Sequence, residues 1–292
     1  MAKIAVVTDS AACLPAELVR QYDIHVIPFG LIWDQQVFLD GVSITPAEFY
    51  RRFAHSTSRP TSSQPAMQDF LSLYSRLVQE RGMEGIVSIH IPQELSGTVA
   101  QARLAAQEMA PTPVRVIDSR MATIAEGFVV LAAARVAAAG GSLEEVVAAA
   151  EATIPRVNLF AVLTTLEHLH RGGRIGEAAA LLGSRLRIHP ILRLHHGRVA
   201  VAGVVRSRQQ ARERMLEMMA RRVGHAPLRA SVFHAEALAE AQQLAEVVQA
   251  RFHPIEFFIT EFTPVMGAHT GPGVIGLAYQ IEKGNFRSPT VG

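Results

Sequence analysis

The chain has 292 residues, of which 49% are hydrophobic and 18% charged, a balance that excludes a disordered protein and leaves room for two ordinary globular domains. Its 28 Lys and Arg against 26 Asp and Glu give a formal charge of +2, with no dense basic block interleaved with aromatics, so nucleic-acid binding is not expected. A single cysteine, Cys13, excludes an intramolecular disulfide and a cysteine-based zinc site.

Lys3 to Thr8 is a short β-branched run that reads as a buried strand, and it ends in the polar Thr8-Asp9-Ser10. Because the N-terminus enters this strand directly, without a signal-peptide pattern, the expected location is the cytoplasm. A helix follows over Pro15 to Tyr22, with Pro in its first turn, and then a strand region over Ile24 to Trp33. Helical spacing appears at Pro46 to Ala54 and Met67 to Glu80, separated by a Ser/Thr/Pro-rich loop over Ser56 to Pro65. Gly85 to Ile91 is a buried strand, followed by Ser96-Gly97-Thr98 and a helix through Met109. Val114 to Ile117 is a strand ending at Asp118-Ser119, and two Ala-rich helices follow, Met121 to Ala138 and Leu143 to Ile154. The longest apolar stretch, Phe128 to Gly140, is interrupted by Arg135 and falls short of the ~20 residues of a membrane span. Strands alternating with helices indicate a parallel α/β sheet.

The rhythm changes near Val157, which places a domain boundary there, dividing the chain into 1–157 and 158–292. Leu163 to His170 reads as a helix stopped by Gly172-Gly173, and Glu177 to Leu186 as another. Ile188 to Leu194 and Arg198 to Val204 alternate around His196-Gly197, the pattern of a hairpin. Helices over Ser207 to Val223 and Glu236 to Phe252 enclose a strand at Leu228 to Phe233. Further strands are read at Ile255 to Phe262 and Val274 to Ile281, and the polar tail from Glu282 reads as frayed. The basic stretch Arg206 to Arg222 also carries Glu213 and Glu217 and reads as a solvated helix face.

Thr8-Asp9-Ser10, Ser96-Gly97-Thr98 and Asp118-Ser119 each follow a strand, the edge at which open α/β sheets hold ligands. The competing reading is that these residues cap helices. For Ser96 both can hold, since a hydroxyl and a glycine before a helix offer donors to an anion. Gly271, Gly273 and Gly276 satisfy a G-x-G-x-x-G spacing, but the chain ends at Gly292, so no acidic residue stands ~20 positions on, and the dinucleotide reading is rejected. His269, read here as a loop histidine, is a candidate because flanking glycines permit close approach. Gly172-Gly173-Arg174-Ile175-Gly176 lacks the Lys-Ser/Thr of a phosphate loop and reads as a helix stop and restart. His168, His170, His195 and His196 lack metal-ligand spacing, and no nucleophile elbow or zinc-protease motif is present.

Taken in order, Thr8-Asp9-Ser10 with Leu14-Pro15, Ser63-Gln64-Pro65, Leu95-Ser96-Gly97-Thr98 and Ile117-Asp118-Ser119 resemble the DegV family of lipid-binding proteins. So do Leu166-Glu167-His168-Leu169 through Gly172-Gly173-Arg174-Ile175, Pro190-Ile191-Leu192, Val205-Arg206 and His269-Thr270-Gly271-Pro272-Gly273, over roughly 3 to 280. The resemblance implies two α/β domains, a three-layer α/β/α unit with a parallel sheet and a unit with a mixed sheet, holding a long-chain fatty acid between them in a buried tunnel. It implies no independent catalysis and no cofactor. The carboxylate would be presented to a separate ATP-dependent fatty acid kinase (FakA-like) that makes acyl phosphate for phospholipid synthesis. Carried over by motif, Ser62, Ser96 and His269 would hold the carboxylate, with Ser63, Gly97, Thr98, Thr270 and Gly271 nearby. Arg206 would serve presentation or kinase docking. The chain departs from the family pattern in having Ser62 for Thr, Pro92-Gln93-Glu94 before the Leu-Ser-Gly-Thr motif, and His189 for Lys. Two rival readings are a hydrolase or transferase using Ser96 and His269, and a regulatory lipid sensor.

Overall fold

The computed structural model describes residues 3–182 and 188–282. In chain order the first half contains β1 (Ile4–Asp9), α1 (Ala16–Gln21), β2 (Ile24–Ile27), β3 (Gly30–Trp33), β4 (Gln36–Leu39), α2 (Pro46–His55) and β5 (Thr61–Ser63). It continues with α3 (Met67–Gln79), β6 (Gly85–His90), α4 (Thr98–Gln107), β7 (Val114–Asp118), α5 (Ile124–Ala138) and α6 (Leu143–Thr153). The second half contains β8 (Val157–Val162), α7 (Glu167–Arg171), β9 (His189–His195), β10 (Arg198–Val205) and α8 (Arg208–Val223). It ends with β11 (Leu228–Ala235), α9 (Leu238–Phe252), β12 (Glu256–Glu261), α10 (Pro264–Thr270) and β13 (Val274–Ile281).

Four parallel strands form one sheet in the order β2-β1-β6-β7. Their side chains alternate between two cores. Ala5, Val7 and Ile86 pack with Phe70, Leu73 and Tyr74 of α3 and Ala102 of α4, whereas Val6, Val87 and Ile89 pack with α5 and α6. Burial on both faces explains why these strands read as near-continuous apolar runs. The second sheet, in the order β10-β9-β8-β13-β11-β12, is antiparallel except for the β11–β12 pair, which makes it mixed. One face carries α8 and α9 through Met215, Met219, Leu244 and Val248. From the other face Leu159, Ala161, Leu192, Phe233, Val274 and Ala278 join the core that contains α5. That helix is buried on nearly every side, as its Ala- and Val-rich composition requires. A third, small sheet, β4-β3-β5, packs beside α10.

Several sequence expectations are corrected. Ile24 to Trp33 is two strands in different sheets, because Pro28 lacks the N–H needed to continue the ladder. The loop read at Ser56 to Pro65 contains β5, recruited by pairing Leu31 with Ser62. β4 and β8 escaped the sequence reading: β4 has only four residues and is mostly exposed, and β8 starts at Val157, where the rhythm changes. The helix read over Leu163 to His170 covers only Glu167–Arg171, since Thr165 Oγ1 accepts from the Glu167 N–H and turns the backbone first. Glu177 to Leu186 is a 3₁₀ helix over Gly176–Leu181; its remainder from 183, like the tail from 283, lies outside the described residues. The hairpin turn at His196 and Gly197 has φ of 49° and 78°, both left-handed, which matches the twist of β9 and β10.

Candidate functional site

Between α5, the inner face of the mixed sheet and the small sheet lies a cavity of about 400 Å³, within the ~300–1,000 Å³ of small-molecule sites. Leu159, Ala161 and Leu163 come from one side of β8 and its extension, and Leu192 and Leu194 from the same side of β9. Phe29, Ile91, Leu95, Phe233, Phe262 and Val274 are among the other apolar residues of the walls. Strand alternation places the leucines of β8 and β9 and Ala161 on the cavity, and Arg193 of β9 reaches it between Leu192 and Leu194.

Polar groups gather at one part of this wall. Ser62 Oγ and His269 Nε2 are hydrogen-bonded at 2.7 Å, joining residues 207 apart in sequence. β5 fixes Ser62 through its pairing with Leu31. His269 is not in a loop, as the sequence suggested, but in the last turn of α10, a short helix begun by Pro264. The first turn of that helix is tied to the other half of the chain, because the Val265 N–H donates to Asp40 Oδ1 at 3.0 Å. Two glycines admit the imidazoles. A Cβ on Gly172 would lie 2.5 Å from His269 Nδ1, and one on Gly271 would lie 2.4 Å from the His168 ring. α7 and α10 thus interlock through a histidine of each set against a glycine of the other segment.

Burial, and secondarily the positive charge of Arg174, lower the His269 pKa to about 4, so the imidazole is neutral at pH 7. Arg174 also lines the cavity and is held by two carbonyls, Nε donating to Leu95 O at 3.0 Å and Nη1 to Gly172 O at 2.6 Å. Ser96 lines the same cavity; its Oγ is hydrogen-bonded to Thr98 Oγ1 at 2.8 Å. The site therefore offers two hydroxyls, a neutral imidazole and a guanidinium beside an apolar void, a set able to hold an anionic head on an apolar body.

Of the residues singled out from sequence, Ser62, Ser63, Ser96, His269 and Thr270 line the cavity. Gly97, Thr98 and Gly271 stand behind the wall. A side chain on Gly97 would strike the Gln64 amide, Thr98 is buried against Ser96, and Gly271 accommodates His168. Arg206 is exposed between β10 and α8 and does not reach the wall. Sequence reasoning missed four polar lining residues, Gln64, Thr123, Arg174 and Arg193. Arg174 could have been found in Gly172-Gly173-Arg174, where glycines bring backbone close to a charge. Thr123 gave no signal; it is held at φ 58°, ψ −157°, a strained conformation for a β-branched residue.

A second serine–histidine pair lies inside the core of the parallel sheet. His90 Nδ1 donates to Asp9 Oδ2 at 3.0 Å, His90 Nε2 is 2.6 Å from Ser88 Oγ, and the Tyr74 hydroxyl donates to Ser88 Oγ at 2.7 Å. Asp9 also accepts from the Ala11 and Ile91 N–H groups, so it caps the 3₁₀ turn Ser10–Ala12 and ties β6 to β1. Ser88, His90 and Asp9 are completely buried. No substrate can reach them, and the array is structural. The glycine series Gly271, Gly273 and Gly276 leads into β13, a strand rather than the helix a dinucleotide site requires. Among the described residues no group of three His, Cys, Asp or Glu could hold a metal ion. Nor, among them, is any helix long and apolar enough to cross a membrane.

Parallel and mixed sheets enclosing an apolar cavity with a hydroxyl–imidazole cluster define an α/β small-molecule-binding architecture. The chain belongs to the DegV family, whose profile matches residues 3–282. It is 40% identical to a DegV domain-containing protein of Streptomyces coelicolor over 276 residues, 94% of this chain and 97% of that one. Among solved structures it resembles a DegV family protein of Thermus thermophilus described for its fatty acid binding, with a TM-score of 0.88 and 35% identity over 96% of this chain and 100% of that one. It also resembles DegV of Bacillus subtilis, described as a fatty acid binding protein, with a TM-score of 0.88 and 30% identity over 97% and 100% of the two chains.

Proposed function

We propose that this protein binds a long-chain fatty acid and presents its carboxylate to a separate fatty acid kinase in the cytoplasm, without catalysing a reaction itself. The acyl chain lies in a buried tunnel formed from the apolar cavity, and Ser62, Ser96 and His269 hold the carboxylate. The observation that carries this reading is the apolar cavity bordered by the hydrogen-bonded Ser62–His269 pair. The fatty acid binding described for the Thermus and Bacillus relatives supports it. Each buried methylene contributes about 0.8 kcal/mol, so the tail supplies most of the affinity before association costs. A buried carboxylate needs donors, and hydroxyls with an imidazole provide them at fixed positions. Arg174 adds a positive charge beside His269, and Ser63 and Thr270 complete the polar wall. Arg206, exposed and away from the cavity, is assigned to docking the kinase. No cofactor beyond the lipid is required.

Protein purified from cells and extracted into organic solvent should release a fatty acid on mass spectrometry. When kinase and ATP are added, acyl phosphate should form; without them acyl esters should remain intact. Release of no lipid, together with no binding of added fatty acid, would overturn the reading. Turnover of an ester by the protein alone would replace it with the hydrolase.

A further inference from the structure

We propose that a second cleft, distinct from the apolar cavity, binds a compact phosphate-bearing small molecule. The cleft has a volume of about 690 Å³ and lies where α4, the β7–α5 turn, α6, β8, the β9–β10 hairpin and α8 meet. Arg103, Arg120, Arg193 and Arg222 line it, each from a different element, together with Asn158 and His195. Arg103, Arg120 and Arg222 are exposed at the rim and Arg193 is half-buried. Among the described residues none of the four forms an ion pair, whereas the half-buried Arg135, Arg208 and Arg229 elsewhere are each matched to a glutamate. Arg193 Nε is shielded from solvent and has no hydrogen-bond partner. An orphaned guanidinium N–H among unpaired arginines is the complement of an anion.

The chemistry narrows the occupant. The lining also holds Asp118 and Glu151, so four positive charges less two negative leave +2. Asp118 is already engaged, Oδ1 by the Arg120 N–H at 2.8 Å and Oδ2 by the Gln93 N–H at 3.3 Å. Phosphate has enough peripheral oxygens to take forked donors from several arginines at once, which one carboxylate has not. A finite concave site with two acids in its wall disfavours an extended polyanion such as nucleic acid. The cleft shares Leu159, Arg193 and Leu194 with the apolar cavity, so a single layer of side chains separates the two. The inference does not depend on what the apolar cavity holds.

Calorimetric titration of the full chain with inorganic pyrophosphate tests it. The expected result is saturable one-to-one binding that weakens as salt is raised. Arg120→Gln combined with Arg222→Gln, both at exposed positions, should lower the affinity at least roughly tenfold while leaving the thermal midpoint unchanged. Arg76→Gln, exposed on α3 across the parallel sheet, should leave the affinity unchanged. Three results would each overturn the proposal: no saturable binding at millimolar pyrophosphate, equal loss in Arg76→Gln, or tighter binding of an oligonucleotide than of pyrophosphate.

Discussion

Among the described residues serine meets histidine in two places, and the surroundings give the two pairs different work. Ser88 and His90 sit within a completely buried array that includes Asp9 and Tyr74, where each polar atom satisfies another and the product is a rigid junction between β1 and β6. Ser62 and His269 meet at the border of a cavity, with no carboxylate on the imidazole among the described residues and a guanidinium nearby. An imidazole without an orienting carboxylate, and with its pKa lowered to about 4, is a poor general base at neutral pH. It remains a good neutral donor or acceptor for a bound head group. The residues of a catalytic triad thus occur where nothing can enter, while the accessible pair lacks the third member.

Breaking the sealed array should have the largest effect. Asp9→Ala strands His90 and two backbone donors in the core and should cost about 3–5 kcal/mol in urea denaturation. A loss below about 1 kcal/mol would mean that the array is not structural. Next comes Asp40, the carboxyl that touches α10 at the end away from His269. Burial raises its pKa from 3.8 to about 6, a shift of about 2 units or roughly 3 kcal/mol. Because the folded form holds this proton more tightly than the unfolded chain, its stabilising contribution is complete below about pH 4 and is lost as pH rises through 6. Asp40→Asn keeps an oxygen for the Val265 N–H and should flatten this dependence, gaining on the wild type at pH 8 relative to pH 5. Parallel stability profiles for the two proteins would contradict that.

The accessible pair should respond in binding rather than in folding. Ser96→Ala with His269→Ala should weaken fatty-acid binding roughly tenfold to a hundredfold, yet leave binding of the corresponding methyl ester within a factor of about three. Equal losses for acid and ester would show that these residues shape the cavity instead of holding the carboxylate. The smallest effect sharpens the same contrast. Gly172→Ala places a methyl against His269 Nδ1 and should reduce acid binding several-fold, with a stability change of about 1 kcal/mol or less. Unaltered acid affinity would show that the imidazole can move aside without consequence.

The sequence by itself determined the α/β alternation, most helices and strands, and the change of rhythm at Val157. These depend on local periodicity, on turn chemistry and on apolar runs, all carried by neighbouring residues. The ordered motifs also marked Ser62, Ser96 and His269 before any contact among them was visible. Only the tertiary structure decided that Ser62 lies in a strand, since β5 is three residues long and exists through its pairing with β3. It alone set His269 on a helix, Arg174 beside it, and Arg206 away from the cavity. It alone gathered four arginines from separate elements into one cleft. The physical reason is range: a strand of three residues, a pKa lowered by burial and a cluster of charges depend on groups far apart in the chain, which local pattern does not encode.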